Sequence, residues 1–318
     1  MNPQNAPFET RILAADEAGI AEAARLIGGG QPVAVPTETV YGLAADATNP
    51  EAVARIYAAK GRPSFNPLIV HVEGVSEAEF FVDFSSQARA VAEAFWPGAL
   101  TLVLPLRAEA RLASAVTAGL STVALRCPAH PAMQALLAAC GKPLAAPSAN
   151  RSGRISPVTA VHVQASLGGR IPLILDGGTA AQGLESTIVR IDAKGAACLR
   201  PGPIEFEDVL AVADLAEAEA GSAIQAPGQL ASHYAPTKPL RLNATEAAAG
   251  EWLIGFGAVA GDETLSASGD LREAAANLFS ALHRAEAAPA TRIAVAPIPE
   301  TGIGRAINDR LRRAAAPR

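Results

Sequence analysis

The sequence predicts an α/β protein with a mixed sheet, followed by a second and smaller α/β unit. Three observations predict it. Up to about residue 210, short runs of period-2 alternation intermingle with stretches whose apolar residues recur at helical spacing. The connections between them vary from a few residues to a whole helix, which suits a mixed rather than a purely parallel sheet. A polar stretch rich in Pro and Gly then interrupts the pattern, and a second alternation begins at Pro239. The chain is therefore divided into residues 1–210, a linker over 211–238 and a small unit over 239–318.

The elements follow in order. Ile20, Ala23, Ala24 and Ile27 form the stripe of a helix over 16–27 that Gly28-Gly29-Gly30 ends. Val33 and Val35 alternate with small residues and stop at Pro36, as a short strand does. Asn49-Pro50 is an N-cap with proline in the first helical position, Val53, Ile56 and Tyr57 face inward, and Gly61 closes the helix. Leu68–Val72 reads as a strand, Ser86 as the cap of a helix broken at Trp96-Pro97-Gly98, and Leu100, Leu102 and Leu104 as a strand. Ser121–Leu125 is a strand, His130–Cys140 a helix, and Ser156-Pro157 opens a helix to about Leu167. Further strands are expected at Ile171–Leu175, Thr187–Ile191 and Ala197–Arg200. The second unit should hold strands at Leu240–Leu242, Trp252–Phe256 and Arg292–Ala296, with helices at Leu271–Glu286 and Ile303–Ala314.

Composition limits the function classes. Of 318 residues, half are apolar, so a large core is available, yet only 4% are aromatic, so Ala, Leu, Val and Ile must fill it. A formal net charge of −5 gives no support for a general nucleic-acid binder, although a local basic pocket stays compatible with it. Cys127, Cys140 and Cys198 are too scattered for a disulfide framework and form no zinc-binding spacing, so they read as small thiols in a reducing compartment. The polar start shows no secretory pattern, and no apolar run nears the ~18 residues that span a membrane. A soluble, cytoplasmic protein without membrane contact is the expectation.

Chemistry-bearing residues cluster first at 36–72. Thr37, Glu38 and Thr39 stand where a strand stops, Lys60 and Arg62 just beyond a helix, and His71 inside the next strand. Cations at a helix C-terminus often serve only its dipole. Here Pro63 and Pro67 stiffen the loop and Asn66 adds a polar group, so the loop could also clamp a polyphosphate. Glycine-rich phosphate loops of the usual kinds are absent from the sequence. A second cluster, Ala146-Pro147-Ser148-Ala149-Asn150, leads to Ser156; this is either an anion site at a helix N-terminus or a turn and a cap. Arg126 could bind a carboxylate in bidentate fashion or be a surface charge, and His71 could be a satisfied core histidine. No Ser-His-Asp order, nucleophile elbow or acid pair stands out, so the site reads as one that binds and orients charged groups.

These stretches resemble the L-threonylcarbamoyl-AMP synthases, or YrdC-like proteins. The resemblance runs through PTETVYGL (36–43), KGRPSFNPLIVHV (60–72), FWPGALTLVL (95–104), STVALRCP (121–128), APSANRSGRISP (146–157), LESTIV (184–189) and LRPG (199–202). SHYAP (232–236) resembles the linker of the family's long form, which precedes a C-terminal domain. The resemblance implies a twisted open sheet with a positive cavity and a small Rossmann-like C-terminal domain. It implies a nucleotidyltransferase that joins L-threonine, bicarbonate or CO2, and ATP into threonylcarbamoyl-AMP with release of pyrophosphate. The product serves N6-threonylcarbamoylation of tRNA by a separate transferase complex, and a direct tRNA contact is a further expectation. By motif, Thr39, His71, Arg126, Ala146 and Ser186 are expected around threonine. Arg62, Asn66, Thr122, Ser148, Asn150, Ser156, Arg200 and Tyr234 are expected around ATP, and Lys60 with Arg62 at the chemistry. Mg²⁺ is expected to arrive on the nucleotide, with no protein metal site.

Two other classes compete. One is a non-catalytic RNA-binding module on the same fold, which the acidic balance disfavours. The other is the carbamoyl-transfer module of hydrogenase maturation, whose zinc fingers three cysteines cannot supply.

Overall fold

The computed structural model describes residues 8–221, 225–229 and 231–317. The polar start and, within the linker, residues 222–224 and 230 lie outside the described residues. The chain runs through β1 (Arg11–Ala14), α1 (Glu17–Gly28), β2 (Val33–Val35), β3 (Gly42–Asp46), α2 (Pro50–Lys60), β4 (Ile69–His71), α3 (Val75–Ala78) and α4 (Ser86–Phe95). It continues as β5 (Leu100–Pro105), α5 (Ser114–Thr117), β6 (Thr122–Arg126), α6 (Pro131–Cys140), β7 (Leu144–Ala145) and α7 (Ala160–Leu167). Next come β8 (Leu173–Asp176), β9 (Thr187–Asp192), β10 (Gly195–Arg200) and α8 (Phe206–Val212). The second unit holds β11 (Leu240–Arg241), β12 (Glu251–Gly255), β13 (Glu263–Thr264), α9 (Leu271–Ala287), β14 (Arg292–Val295) and α10 (Gly304–Ala315).

Local chemistry sets the boundaries. Asp16 accepts from the Gly19 N–H at 2.9 Å and starts α1. Asn49 accepts from the Glu51 and Ala52 N–H groups and starts α2, which Gly61 ends in the left-handed region at φ 62°. Two expected caps move. Ser85, not Ser86, caps α4 by accepting from the Ala88 N–H at 3.0 Å. α7 begins at Ala160 behind Thr159, not at Ser156-Pro157. The Ser156 hydroxyl is engaged by Glu185, and the carbonyls of Pro157 and Val158 accept from Tyr41 and Ala180, which holds that stretch extended.

Among the described residues, ten strands form one sheet in the order β1-β8-β2-β3-β7-β4-β6-β5-β9-β10. Parallel pairs such as β4–β6 and β5–β9 alternate with antiparallel ones such as β5–β6 and β3–β7, so the sheet is mixed, as expected. Helices cover both faces. Ile20 and Ile27 of α1 and Met133 and Leu137 of α6 pack on Val33 and Leu173; Val53, Ile56 and Val91 pack with Leu43 and Leu102 on the other side. Leu100–Leu104 is buried throughout, so its alternation sorts two cores rather than core from solvent. The second unit is a four-stranded parallel sheet, β11-β14-β12-β13, carrying α9 and α10. Its core is shared with the first unit: Val40, Val158, Leu184 and Tyr234 belong to the same buried cluster as Ile254, Leu278, Phe279 and Ile307. Each such buried side chain is worth roughly 1.5–3 kcal/mol, so the units are joined by a true apolar core. No described helix is long and apolar enough to cross a membrane.

Candidate active site

The strand ends and loops of the large sheet enclose a pocket of about 520 Å³ of empty space, with solvent at its mouth included. Its floor starts with the loop between β2 and β3. Thr37 Oγ donates to the Val40 carbonyl at 2.6 Å and accepts from the Thr39 and Val40 N–H groups, a hydroxyl-made turn. That turn presents Thr39, whose hydroxyl lies 2.9 Å from Thr37 Oγ. Arg126, at the end of β6, donates to Thr39 Oγ at 2.9 Å, to Glu38 Oε1 at 2.6 Å and to the Gly98 carbonyl at 3.1 Å. A guanidinium has five N–H groups, so Arg126 keeps donors for a ligand. Its charge lowers the Glu38 carboxyl against the opposing effect of burial.

His71 lies beside Arg126 on β4 and is buried. Burial first, and the Arg126 charge second, pull its imidazole down to about 3, so it is neutral at pH 7. Arg62 is held by its own loop: Nε and Nη2 donate to the Asn66 carbonyl and side-chain oxygen, and Nη2 to the Pro67 carbonyl. Burial lowers its guanidinium to about 10, which leaves it charged at neutral pH. Arg200 donates to the Ser186 carbonyl at 3.0 Å and hydroxyl at 3.1 Å. Ser186 Oγ also lies 2.8 Å from Thr101 Oγ. Thus Thr39, Arg62, His71, Arg126, Ala146, Ser148, Ser186, Arg200 and Tyr234, all singled out from the sequence, line one pocket. The Ala146 N–H donates to the Ile69 carbonyl, which leaves its carbonyl as the backbone group open to a ligand.

Five expected residues do not line it. Lys60 is buried and donates at 2.6 Å to the carbonyls of both Ser148 and Asn150. It braces the 148–150 loop instead of presenting an ammonium to phosphates. Burial, then the Arg62 charge, pull that ammonium well below its ordinary value. The Asn66 side-chain oxygen accepts from Arg62, and the Asn150 amide donates to the Arg151 and Arg154 carbonyls, while Asn66 Nδ2 and Asn150 Oδ1 have no protein partner. Ser156 donates to Glu185 Oε1 at 2.5 Å. Thr122 begins the strand that Arg126 ends, on the same face but roughly 13 Å away at strand spacing.

The linker contributes to the lining. Pro227, Gly228, His233 and Tyr234 line the pocket, and Tyr234 is only 1% exposed. The backbone pins it on both sides: the Ala235 N–H donates to the Gly153 carbonyl and the His233 N–H to the Arg313 carbonyl of α10. Gly228 sits at φ 86°, where a Cβ would come within 2.7 Å of the Tyr234 hydroxyl, so only glycine suits this contact. Three buried polar atoms of the lining have no protein partner, His71 Nδ1, His233 Nδ1 and the Tyr234 hydroxyl, nor has Glu38 Oε2 behind Arg126. Buried polar groups are normally paired, so these atoms suit a polar ligand.

Sequence reasoning missed Glu185, His233 and Arg310. Glu185 and His233 adjoin residues that were singled out, and their position in LESTIV and SHYAP was the available signal. Arg310 had none, because its partner Glu185 is 125 residues away. Among the described residues, no group of three or more His, Cys, Asp or Glu side chains could hold a metal ion. Glu185 of the lining is paired with Arg310, and Glu38, outside the lining, is paired through Oε1 with Arg126.

Comparisons with known proteins converge on one family. A family model described as "Telomere recombination" matches residues 25–202, and one described as "Threonylcarbamoyl-AMP synthase, C-terminal domain" matches residues 204–316. The threonylcarbamoyl-AMP synthase of Bacillus subtilis is 40% identical over 97% of this chain and 96% of its own length. That of Pyrococcus abyssi is 37% identical over 92% of this chain and 93% of its own. The crystal structure of P. abyssi Sua5 complexed with L-threonine superposes with a TM-score of 0.86 at 34% identity, covering 97% of each chain.

Proposed function

The chain belongs to the family of threonylcarbamoyl-AMP synthases, and from that premise we propose how its pocket carries out the reaction. The enzyme makes L-threonylcarbamoyl-AMP from L-threonine, bicarbonate or CO2, and ATP, with release of pyrophosphate. The observation that supports the site assignment is the polarity of one pocket. Arg126, with Thr39 and neutral His71 beside it, lines the pocket together with Arg62, Ser148, Arg200 and Tyr234.

The threonine carboxylate pairs with the free donors of Arg126, whose geometry Glu38 and Gly98 fix in advance. Thr39, His71, Ser186 and the Ala146 carbonyl surround the rest of the amino acid. His71 at about 3 is too weak a base to take a proton from the substrate ammonium, so it orients through a neutral ring. The neutral amine adds to CO2: a C–N bond forms and one proton leaves to solvent. A carbamate oxygen then attacks the α-phosphorus, and the bond to the β-phosphate breaks to release pyrophosphate.

Both partners in that step are anions. Buried Arg62 and Arg200 offset the repulsion where charge develops, in a site whose low dielectric strengthens them. Holding the carbamate and phosphate in line supplies several kcal/mol more. Asn66, Asn150, Ser156 and Lys60 act one step back, by bracing Arg62, the 148–150 loop and Glu185. Thr122, further along β6, suits the distant end of the nucleotide. Mg²⁺ would arrive on the phosphates, because Glu185 of the lining is already paired with Arg310; there it would neutralise phosphate charge. The linker keeps water from the labile carbamate.

On this division residues 1–210 hold the substrates, 211–238 cover them and 239–318 hold the cover. The enzyme works in the cytoplasm and hands its product to a tRNA-modifying transferase. A non-catalytic RNA-binding role finds no support here, because Lys60, Arg62, Arg126 and Arg200 are buried around the pocket instead of lying on a face. The test is pyrophosphate release by purified protein with Mg²⁺ and ATP, which should require both threonine and bicarbonate. Absence of threonylcarbamoyl-AMP under those conditions would sink the assignment.

A further inference from the structure

Helix α10 sends one side chain into the wall of the pocket. Arg310 is completely buried. Its Nε donates to Glu185 Oε2 at 2.8 Å and its Nη2 to the Glu185 carbonyl at 3.3 Å. Its Nη1 donates to the Pro201 carbonyl and to Asp309 Oδ2. Its guanidinium carbon lies 5.3 Å from the centre of the Tyr234 ring. The next residue of the wall, Ser186, is held by a different arginine, Arg200 of β10. Two buried arginines, one from each unit, therefore clamp two successive residues. Arg200 lines the pocket and Arg310 does not.

We infer that Arg310 is a positioning residue: it occupies the Glu185 carboxylate so that the Arg200 guanidinium stays available to an anionic group of the nucleotide. This rests on the reading of Arg200 as a nucleotide ligand. Glu185 lines the same pocket as Arg200 and is 6% exposed. A carboxylate buried to that degree cannot stand alone, because its desolvation is repaid only by a cation and hydrogen bonds in good geometry. Both its oxygens are satisfied without Arg200, one by Arg310 and the other by the Ser156 hydroxyl at 2.5 Å. Arg200 meanwhile donates to two neutral oxygens of Ser186. Without Arg310, the attraction between Glu185 and Arg200 would be unopposed, and their pairing would cancel the charge that the nucleotide meets.

A simple staple between the units makes a different prediction, and a double variant separates the two. ATP binding to the full chain with Mg²⁺ is measured by titration calorimetry, with thermal melting as the check on folding. Arg310→Gln should weaken ATP binding about tenfold or more, the scale of a lost charged contact. It should raise KM for ATP and leave KM for threonine unchanged. Adding Glu185→Gln should restore ATP affinity close to the parent value, because the competing charge is gone. Arg310→Lys, which keeps a cation for Glu185, should bind ATP like the parent. Parent-like affinity in a folded Arg310→Gln protein overturns the inference, and so does a double variant as weak as the single one. If Arg310→Gln does not fold, the lysine and double variants decide: near-parent affinity in both supports the inference, and a tenfold loss in either overturns it. A parent protein that does not bind ATP would instead remove the nucleotide reading of Arg200.

Discussion

His71 and Arg126 are partners across the parallel β4–β6 pair, so a neutral imidazole and a guanidinium stand side by side in the lining of the pocket. The pair is unequal by construction. The Arg126 charge helps keep His71 unprotonated, while Glu38 and Thr39 hold the guanidinium in place. Of the two, only Arg126 offers a charge to an anionic group.

Arg126→Lys keeps the charge but loses the fork that reaches Glu38, Thr39 and the ligand together. Threonine KM should rise about 10- to 100-fold, the range for a charged hydrogen-bonded contact, with a smaller change in ATP KM. Steady-state rates at saturating ATP and varied threonine give the answer. An unchanged threonine KM would remove Arg126 from carboxylate binding.

The five histidines share one direction of shift. Burial is the first cause for each, and it lowers His71, His130, His162, His233 and His283 below the ordinary value. A histidine with a lowered folded pKa binds fewer protons folded than unfolded between the two values. Stability is thus intact above pH 6.5 and falls as pH drops from 6.5 toward about 3, the value to which His71 and His162 are lowered. A fully buried group held neutral can contribute a slope of up to about 1.4 kcal/mol per pH unit, and the half-buried His130 and His162 contribute less. His162 stacks on His283 with centroids 3.8 Å apart, across the two units. The melting temperature should fall from pH 6.5 to pH 4.5, less steeply in His162→Gln than in the parent. Equal slopes would exclude His162 from the effect.

Lys60→Ala removes the donor shared by the Ser148 and Asn150 carbonyls. A buried acceptor left unpaired costs about 1–3 kcal/mol, so the melting temperature and turnover should fall together. Arg62→Ala should instead weaken ATP binding, because Arg62 lines the pocket. Comparing melting curves with ATP KM for both variants separates bracing from contact. A Lys60 variant with parent stability and lost activity would restore it to the phosphates.

Much of this was legible where local chemistry decides the outcome. The Asn49-Pro50 start, the Gly61 stop and the Val33–Val35 strand are set within a few residues. β3 was not legible, because Gly42-Leu43-Ala44-Ala45-Asp46 has no β-branched residue and is a strand only through its pairing with β2 and β7. The false helix start at Ser156 has the same origin: Ser-Pro is a good local cap, but Glu185, 29 residues on, takes the hydroxyl. In the site, residue types and their order pointed to nine lining residues, yet not to the direction of a side chain. Lys60 and Arg62 are two apart, and only packing turns one toward carbonyls and the other toward the pocket.

The cover can be tested at one atom. The Tyr234 hydroxyl is buried without a protein partner, while its ring is fixed by Phe279 at 5.8 Å, His233 at 4.1 Å and the Arg310 guanidinium. A buried hydroxyl with nothing to bond lowers stability, and it is kept only if something else uses it. Tyr234→Phe keeps the ring and removes only that oxygen. The melting temperature without ligand should stay the same or rise slightly, while ATP KM should rise several-fold, as when one hydrogen bond worth about 1 kcal/mol is lost. Gly228→Ala should reach the same end by another route: its Cβ would press within 2.7 Å of that hydroxyl and 3.0 Å of the Arg200 side chain, at a φ of 86° that alanine resists. Its ATP KM should rise more, with a loss of stability as well. If Tyr234→Phe leaves ATP KM unchanged, the hydroxyl does not meet the nucleotide and Tyr234 serves the shared apolar core alone.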